Sequence, residues 1–326
     1  MDNVIRLSSE ERSQIFSETA AQMGATPAIV EKDFWVCWVL EKIFAAKNLR
    51  SKLLFKGGTS LSKVYRVIER FSEDIDLILD WNLVSSENPS LVRSKNKQNT
   101  FNRQINEYAQ EYIASQLLPE LEALYTPLCQ LAIDHRDPHC VNISYPKAFE
   151  DTYIRPEVRL EIGPLASWQP SRDFTITSYA AEYFPGLFSN GEISVRAIEG
   201  RRTFWEKATI LHQEAHRPER KLQPSRYSRH YYDLAMLASS EIRNQALSDL
   251  ELLKDVVDFK KKFYPVGWAH YESAVPGSLK LIPPGRIRQS LIRDYRAMQD
   301  MIFGYKPTIT EIFDILANLE GQINTI

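Results

Sequence analysis

The chain has 326 residues, 44% of them hydrophobic and 25% charged, which are globular proportions with room for two domains. A formal net charge of −2 excludes a nucleic-acid binder built on bulk positive charge, although a local basic groove stays open. Cys37, Cys129 and Cys140 are odd in number and form no CxxC pair, so neither a zinc site nor a disulfide framework is expected, and a reducing cytoplasm fits.

The opening Met1-Asp2-Asn3-Val4-Ile5-Arg6 does not read as a signal peptide. Ser8 or Ser9 caps a first predicted helix, and Thr26-Pro27 opens a second with proline at its first position. Ile29, Val30, Phe34, Val36, Cys37, Leu40 and Ile43 give that second helix a wide apolar face. Its most apolar run, 34–46, contains Glu41 and Lys42 and is too short to span a bilayer, so a buried helix and no membrane association are expected. Leu53-Leu54-Phe55 reads as a buried strand that stops at a Gly57-Gly58 turn. Leu61, Val64, Tyr65 and Ile68 follow at helical spacing, and a helix of about three turns is expected there. The alternation over 74–80 predicts a second strand.

Residues 82–100 are polar and aperiodic and read as a mobile loop, with a long helix at roughly 101–118. Strands are expected at 129–134, 141–145, 157–163 and 173–179, punctuated by Pro146, Pro156, Pro164 and Pro170. After about residue 196 helical patterns dominate, at 202–215, 227–239, 245–263, 286–303 and 308–323. The expected fold is therefore an α/β (α+β) first half followed by a helical second half.

The chemistry concentrates in Lys56-Gly57-Gly58-Thr59-Ser60-Leu61 and, fifteen residues after Thr59, Asp74-Ile75-Asp76. Two glycines let the backbone turn sharply and approach a ligand. A helix that starts there offers free N–H groups to phosphate, and Thr59 or Ser60 can add a hydroxyl. On a strand Asp74 and Asp76 project from one face. Such a pair suits Mg²⁺, which can bridge triphosphate oxygens and activate an attacking hydroxyl. Gly-Gly alone is an ordinary turn and Asp-x-Asp alone is common on exposed strands; the specificity lies in the combination. The spacing of a P-loop is absent.

Gly57-Gly58-Thr59-Ser60-Leu61 followed by Phe71-Ser72-Glu73-Asp74-Ile75-Asp76-Leu77 resembles the AbiEii/AbiGii nucleotidyltransferase toxins of the polymerase-β-like superfamily. Glu31-Lys32-Asp33-Phe34-Trp35-Val36 resembles that family's N-terminal helix. Downstream, Phe204-Trp205-Glu206-Lys207-Ala208 matches the family's helical lysine, and Arg229-His230-Tyr231-Tyr232-Asp233 its R-D-x-x-D stretch, with His230 replacing the usual aspartate. That departure matters little if His230 faces away from the site. The resemblance covers about residues 25–240, and the last 85 or so match only loosely, as helices.

The resemblance implies a nucleotidyltransferase core with a mixed sheet over 1–196, and a helical domain over 197–326 that completes the active-site cleft. It implies Mg²⁺, or Mn²⁺ in its place, and an NTP substrate. It also implies a toxin of a type IV-like toxin–antitoxin or phage-defence system, a cognate antitoxin, and tRNA as acceptor. Lys207 would neutralise the triphosphate, and Asp233 would orient Lys207 or serve as base. A third metal ligand would come from a neighbouring strand, as Glu161 or Glu157. The bland alternatives are a Glu161–Arg159 pair, an exposed helix lysine and an i,i+4 pair between Arg229 and Asp233. Arg217, Arg220, Lys221, Arg226 and Arg229 form a basic stretch suited to NTP phosphates or an RNA backbone, with Arg226 and Arg229 as the nucleotide-binding candidates. The six histidines show no metal-ligand spacing. Two other functions remain open: nucleotidylation of a protein or small molecule, and a degenerate, non-catalytic binding module.

Overall fold

Leu53, Leu54 and Phe55 are wholly buried, as an interior strand covered on both faces must be. They form β1 (Leu53–Lys56), which joins β2 (Asp74–Leu79), β3 (Gln130–Ile133), β4 (Cys140–Ser144), β5 (Glu157–Gly163), β6 (Ser171–Ile176) and β7 (Ile193–Ile198) in one sheet of order β3-β4-β5-β2-β1-β7-β6. β2 runs parallel to β5 and β1 parallel to β7; the other neighbours are antiparallel, so the sheet is mixed. The computed structural model describes residues 1–151 and 154–326. They divide into two compact units, Met1–Val64 with Phe71–Ile198, and Tyr65–Arg70 with Glu199–Ile326.

In the first unit, the helix Ser9–Met23 starts from a Ser8–Glu11 capping box, and Thr26 and Pro27 open the helix Pro27–Ala45 as expected. Every residue of that second helix from Ala28 to Leu40 is buried, because it packs against both β7 and the helix Ser9–Met23. Its three consecutive charges are each matched inside the protein. Glu31 accepts the N–H groups of Ala148 and Phe149 at 2.7 and 3.1 Å. The Lys32 ammonium donates to the carbonyls of Arg155 and Glu157 at 2.9 and 2.6 Å. Asp33 pairs with Lys63 at 2.7 Å and accepts the N–H of Tyr179 at 2.7 Å. One helix thus ties four other segments to the sheet.

Several boundaries differ from expectation. The helix after the glycine turn, Gly57–Lys63, is two turns rather than three. Residues 65–70 leave it for the second unit, with Arg66 at a φ of 53°. The expected loop at 82–100 ends early, because a helix already begins at Lys95 and runs to Tyr112. That helix buries only Gln98, Phe101, Ile105 and Ala109, a stripe too thin to stand out among polar residues. The strand β7 is absent from the expected set, although Ile193, Val195 and Ala197 alternate with Ser194 and Arg196.

In the second unit the described residues from Glu199 onward form helices. The helix Ser228–Ala238 is central and packs against Gly200–Ala215, Glu241–Leu247, Gly285–Met298 and Ile309–Asn324. The expected helix 245–263 is two, Glu241–Leu247 and Leu250–Phe263, with Asp249 capping the latter through the N–H of Leu252. The segment Tyr65–Arg70 is pinned here. Phe303 N–H donates to the Glu69 carbonyl at 3.0 Å, and Tyr305 N–H donates to the Glu69 carboxylate at 2.7 Å. Among the described residues no helix is long and apolar enough to cross a membrane.

Candidate active site

Gly57 is where the two halves of the motif meet. Its φ of 82° lies in the left-handed region that L side chains avoid, and a Cβ there would sit 1.8 Å from Asp76 Oδ2. Only glycine lets the turn close over the Asp76 carboxylate. The Thr59 hydroxyl donates to the carbonyls of Ser72 and Asp74, and the Ser60 hydroxyl donates to the Gly57 carbonyl at 2.8 Å. Both side chains are buried, so these hydroxyls brace the turn against β2 rather than reaching a ligand. A phosphate-facing role for this stretch falls to the backbone N–H groups around Gly57 and Gly58.

Strand register collects the charged residues on one face. Lys56 of β1 is opposite Asp76 of β2, which is opposite Glu161 of β5. Two residues earlier, Asp74 is opposite Arg159. Ile75, Leu77, Ile78 and Leu79 are buried while Asp74 and Asp76 are half-buried, so the carboxylates occupy the more open face of β2. Glu157 lies two residues before the partner of Asp74 on β5, and Glu161 is the glutamate beside the pair. Burial, then Asp76 and Asp74, push the Glu161 carboxyl above the usual range, with Arg159 opposing them.

These residues fit a divalent cation in part. Asp74 Oδ1 is buried and accepts no hydrogen bond among the described residues, which is costly for an anionic oxygen unless a cation meets it. Glu161 is engaged elsewhere. Its Oε1 lies 3.4 Å from Arg159 Nε, and the same guanidinium is held by Asp134 and, at 3.6 Å, by Asp137. No group of three His, Cys, Asp or Glu side chains among the described residues is arranged to hold a metal ion. Asp74 and Asp76 thus stand together on β2, and Glu161 pairs with Arg159 beside them.

Behind Asp74 stands a group that sequence reasoning missed. Glu73 is buried, accepts the Arg155 N–H at 2.8 Å and lies 3.9 Å from the Lys32 ammonium. Burial lowers the Lys32 pKa to about 8, against the raising influence of Glu73 and Asp74. Lys32 thereby joins the starts of β2 and β5, which sets where Asp74 stands.

In the second unit, Lys207 and Asp233 meet inside the protein. Lys207 Nζ donates to Asp233 Oδ2 at 2.8 Å, and Arg70 grips the same carboxylate with Nε and Nη2 at 2.7 and 2.8 Å. Asp233 is wholly buried, which would raise its pKa, but Arg70 and Lys207 together hold it well below the usual carboxylate range. It is suited to orient Lys207 and not to take up a proton. Arg70 escapes a reading of the sequence because its partner lies 163 residues away. His230 does not face away from the lysine, as the sequence allowed: its Nδ1 is 3.1 Å from Lys207 Nζ.

The basic stretch separates into two roles. Arg217 is buried, forked onto Glu214 at 2.7 and 2.8 Å and set over the Trp268 ring at 4.8 Å, so it serves the fold. Arg226 and Arg229 are exposed. Arg226 has a φ of 62° and its N–H donates to Asp294 at 2.6 Å. Burial first lowers the pKa of Lys207 and of His230, and Arg229 adds to both shifts.

A Gly-Gly turn thus closes over Asp76 on an interior strand of a mixed sheet. The family model described as nucleotidyl transferase AbiEii toxin, type IV toxin–antitoxin system, matches residues 38–318, and the chain belongs to that family. It is a nucleotidyltransferase. The match starts beyond Glu31-Lys32-Asp33 and ends within the helix Ile309–Asn324, past residue 240 where the motifs stop. MenT4, a nucleotidyltransferase toxin from Mycobacterium tuberculosis H37Rv, is a similar solved structure, with 16% sequence identity, 94% of this chain and 98% of that chain covered, and a TM-score of 0.46. No curated protein matches the chain.

Proposed function

We propose that the protein transfers a nucleotide from an NTP to the 3′ end of tRNA, with Mg²⁺ or Mn²⁺, as the toxin of a toxin–antitoxin or phage-defence system held in check by a cognate antitoxin. The observation that carries the metal-dependent reading is the buried Asp74 oxygen with no hydrogen bond, beside an Asp76 over which only glycine fits. Asp74 and Asp76 would hold the cation, with Glu161 joining them if it leaves Arg159. Held there, a divalent cation would supply charge neutralisation at the triphosphate and lower the pKa of the acceptor hydroxyl. In the transfer, the acceptor hydroxyl oxygen bonds to the α-phosphorus and its proton passes to water, while the α–β bridging bond breaks and pyrophosphate leaves with the electron pair. The backbone around Gly57 and Gly58, with Lys56, cradles phosphate, while Lys207, oriented by Asp233, neutralises the triphosphate. Arg226 and Arg229 supply exposed charge for NTP phosphate or an RNA backbone.

The test is incubation with Mg²⁺, each α-labelled NTP and total tRNA, resolved on a denaturing gel. Label on tRNA from one or two NTPs, abolished in a folded Asp76→Asn protein, is expected. Full transfer by Asp76→Asn would overturn the metal assignment. Label on protein or on a small molecule, with none on tRNA, would move the acceptor and leave the chemistry in place.

A further inference from the structure

An ammonium has three N–H donors, and where they point decides what a buried lysine can still bind. Burial lowers the Lys207 pKa, and the ion pair with Asp233 at 2.8 Å opposes that shift, holds Lys207 as the ammonium and takes one donor. The 3.1 Å contact with His230 Nδ1 takes a second, because an ammonium can only donate and the imidazole nitrogen must therefore accept. Accepting at Nδ1 places the imidazole proton on Nε2. The ring is steadied by Tyr227, whose ring meets it edge-on at 5.0 Å and 84°. Charges facing this imidazole come from Lys207 on the helix Gly200–Ala215, from Arg229 and Asp233 on its own helix and from Arg70 on the crossing segment. Burial, then Lys207 and Arg229, push its pKa well below the ordinary histidine value, so it is neutral.

We propose that His230 is a positioning residue of the transfer reaction, which takes the second N–H of Lys207 without adding charge and leaves the third for an anionic oxygen of the triphosphate. The charge count favours a neutral acceptor. Lys207, Arg70 and Arg229 against Asp233 leave the cluster net positive. An aspartate at position 230 would remove part of that charge and hold the ammonium between two carboxylates. A neutral imidazole gives the same direction and keeps the attraction for phosphate. The inference rests on the proposed role of Lys207 in binding the triphosphate.

Two readouts test it. In ¹⁵N spectra of the six imidazoles, His230 should show a bare Nδ1 and a protonated Nε2, unchanged from about pH 6 to about pH 8. A His230 that titrates in that range, or carries its proton on Nδ1, overturns the proposal. In transfer kinetics, His230→Leu removes the acceptor and keeps the bulk. It should raise the KM for NTP about tenfold, as expected for losing a hydrogen bond to a charged group, with kcat changed less than about twofold. His230→Asn, whose Oδ1 can replace Nδ1, should recover most of the loss, and His230→Asp should not. An unchanged KM in His230→Leu, or equal damage in Leu and Asn variants of unaltered melting temperature, overturns the role. The imidazole spectrum decides the contact whether or not nucleotide is transferred, so failure of the proposed function and failure of this inference are separate results.

Discussion

At Gly57 a conformational demand and a steric one fall on the same atom. A left-handed backbone costs an L residue about 1–2 kcal/mol, and the missing Cβ is also the space that Asp76 Oδ2 occupies. Gly57→Ala should therefore lower the melting temperature by several degrees and remove transfer activity together, because Asp76 must move. An alanine variant with wild-type transfer would show that the Asp76 position is not what the reaction needs. Gly-Gly and Asp-x-Asp were legible as motifs, and their physical link explains why they occur as a pair. The hydroxyls of Thr59 and Ser60 were legible only as residue types. A sequence gives a hydroxyl but not its acceptor, and here the acceptors are carbonyls of the turn and of β2.

Among the elements, the helix Pro27–Ala45 depends on partners for charges that no surface would solvate. Lys63 and Asp33 are both buried, and Asp33 raises the Lys63 pKa against the pull of burial. Lys63→Met leaves a buried carboxylate with one N–H partner and should destabilise the first unit by about 3–5 kcal/mol in urea unfolding. A loss below about 1 kcal/mol would mean that water reaches Asp33. Elements with strong local signals were readable in advance: the capped helices at Ser8 and Thr26, and the alternation in β2. Those that differ were set by distant contacts. Val64 and Tyr65 carry a helical pattern, yet the helix stops at Lys63 because Glu69 and Arg70 are fixed by Tyr305 and Asp233, which no local window contains. β7 alternates clearly but sits beside the change to helical sequence at 196, and its role depends on pairing with β1 and β6.

For the molecule as a whole, the proposed reaction predicts ligand-linked stability. An NTP at about 100 times its dissociation constant adds about 2.7 kcal/mol to the state that binds it. Saturating NTP with Mg²⁺ should raise the melting temperature by several degrees, and chelating the metal with EDTA should remove the rise. The same rise in Asp76→Asn would separate nucleotide binding from the metal pair. Mixed strands followed by helices were legible from the order of periodicities. The assignment of residues 65–70 was not, since they cluster with residues more than a hundred positions later.

That crossing has a consequence for how the chain is made. Arg70 leaves the ribosome long before Asp233, its partner 163 residues downstream. At about 5–20 residues per second the guanidinium waits roughly ten to thirty seconds for its carboxylate. Strands β2 to β7 are all synthesised within that interval, and Lys207 emerges only toward its end. The newborn chain therefore folds its second unit only late in translation, because the carboxylate that fixes both Arg70 and Lys207 is among the last of these residues to be made.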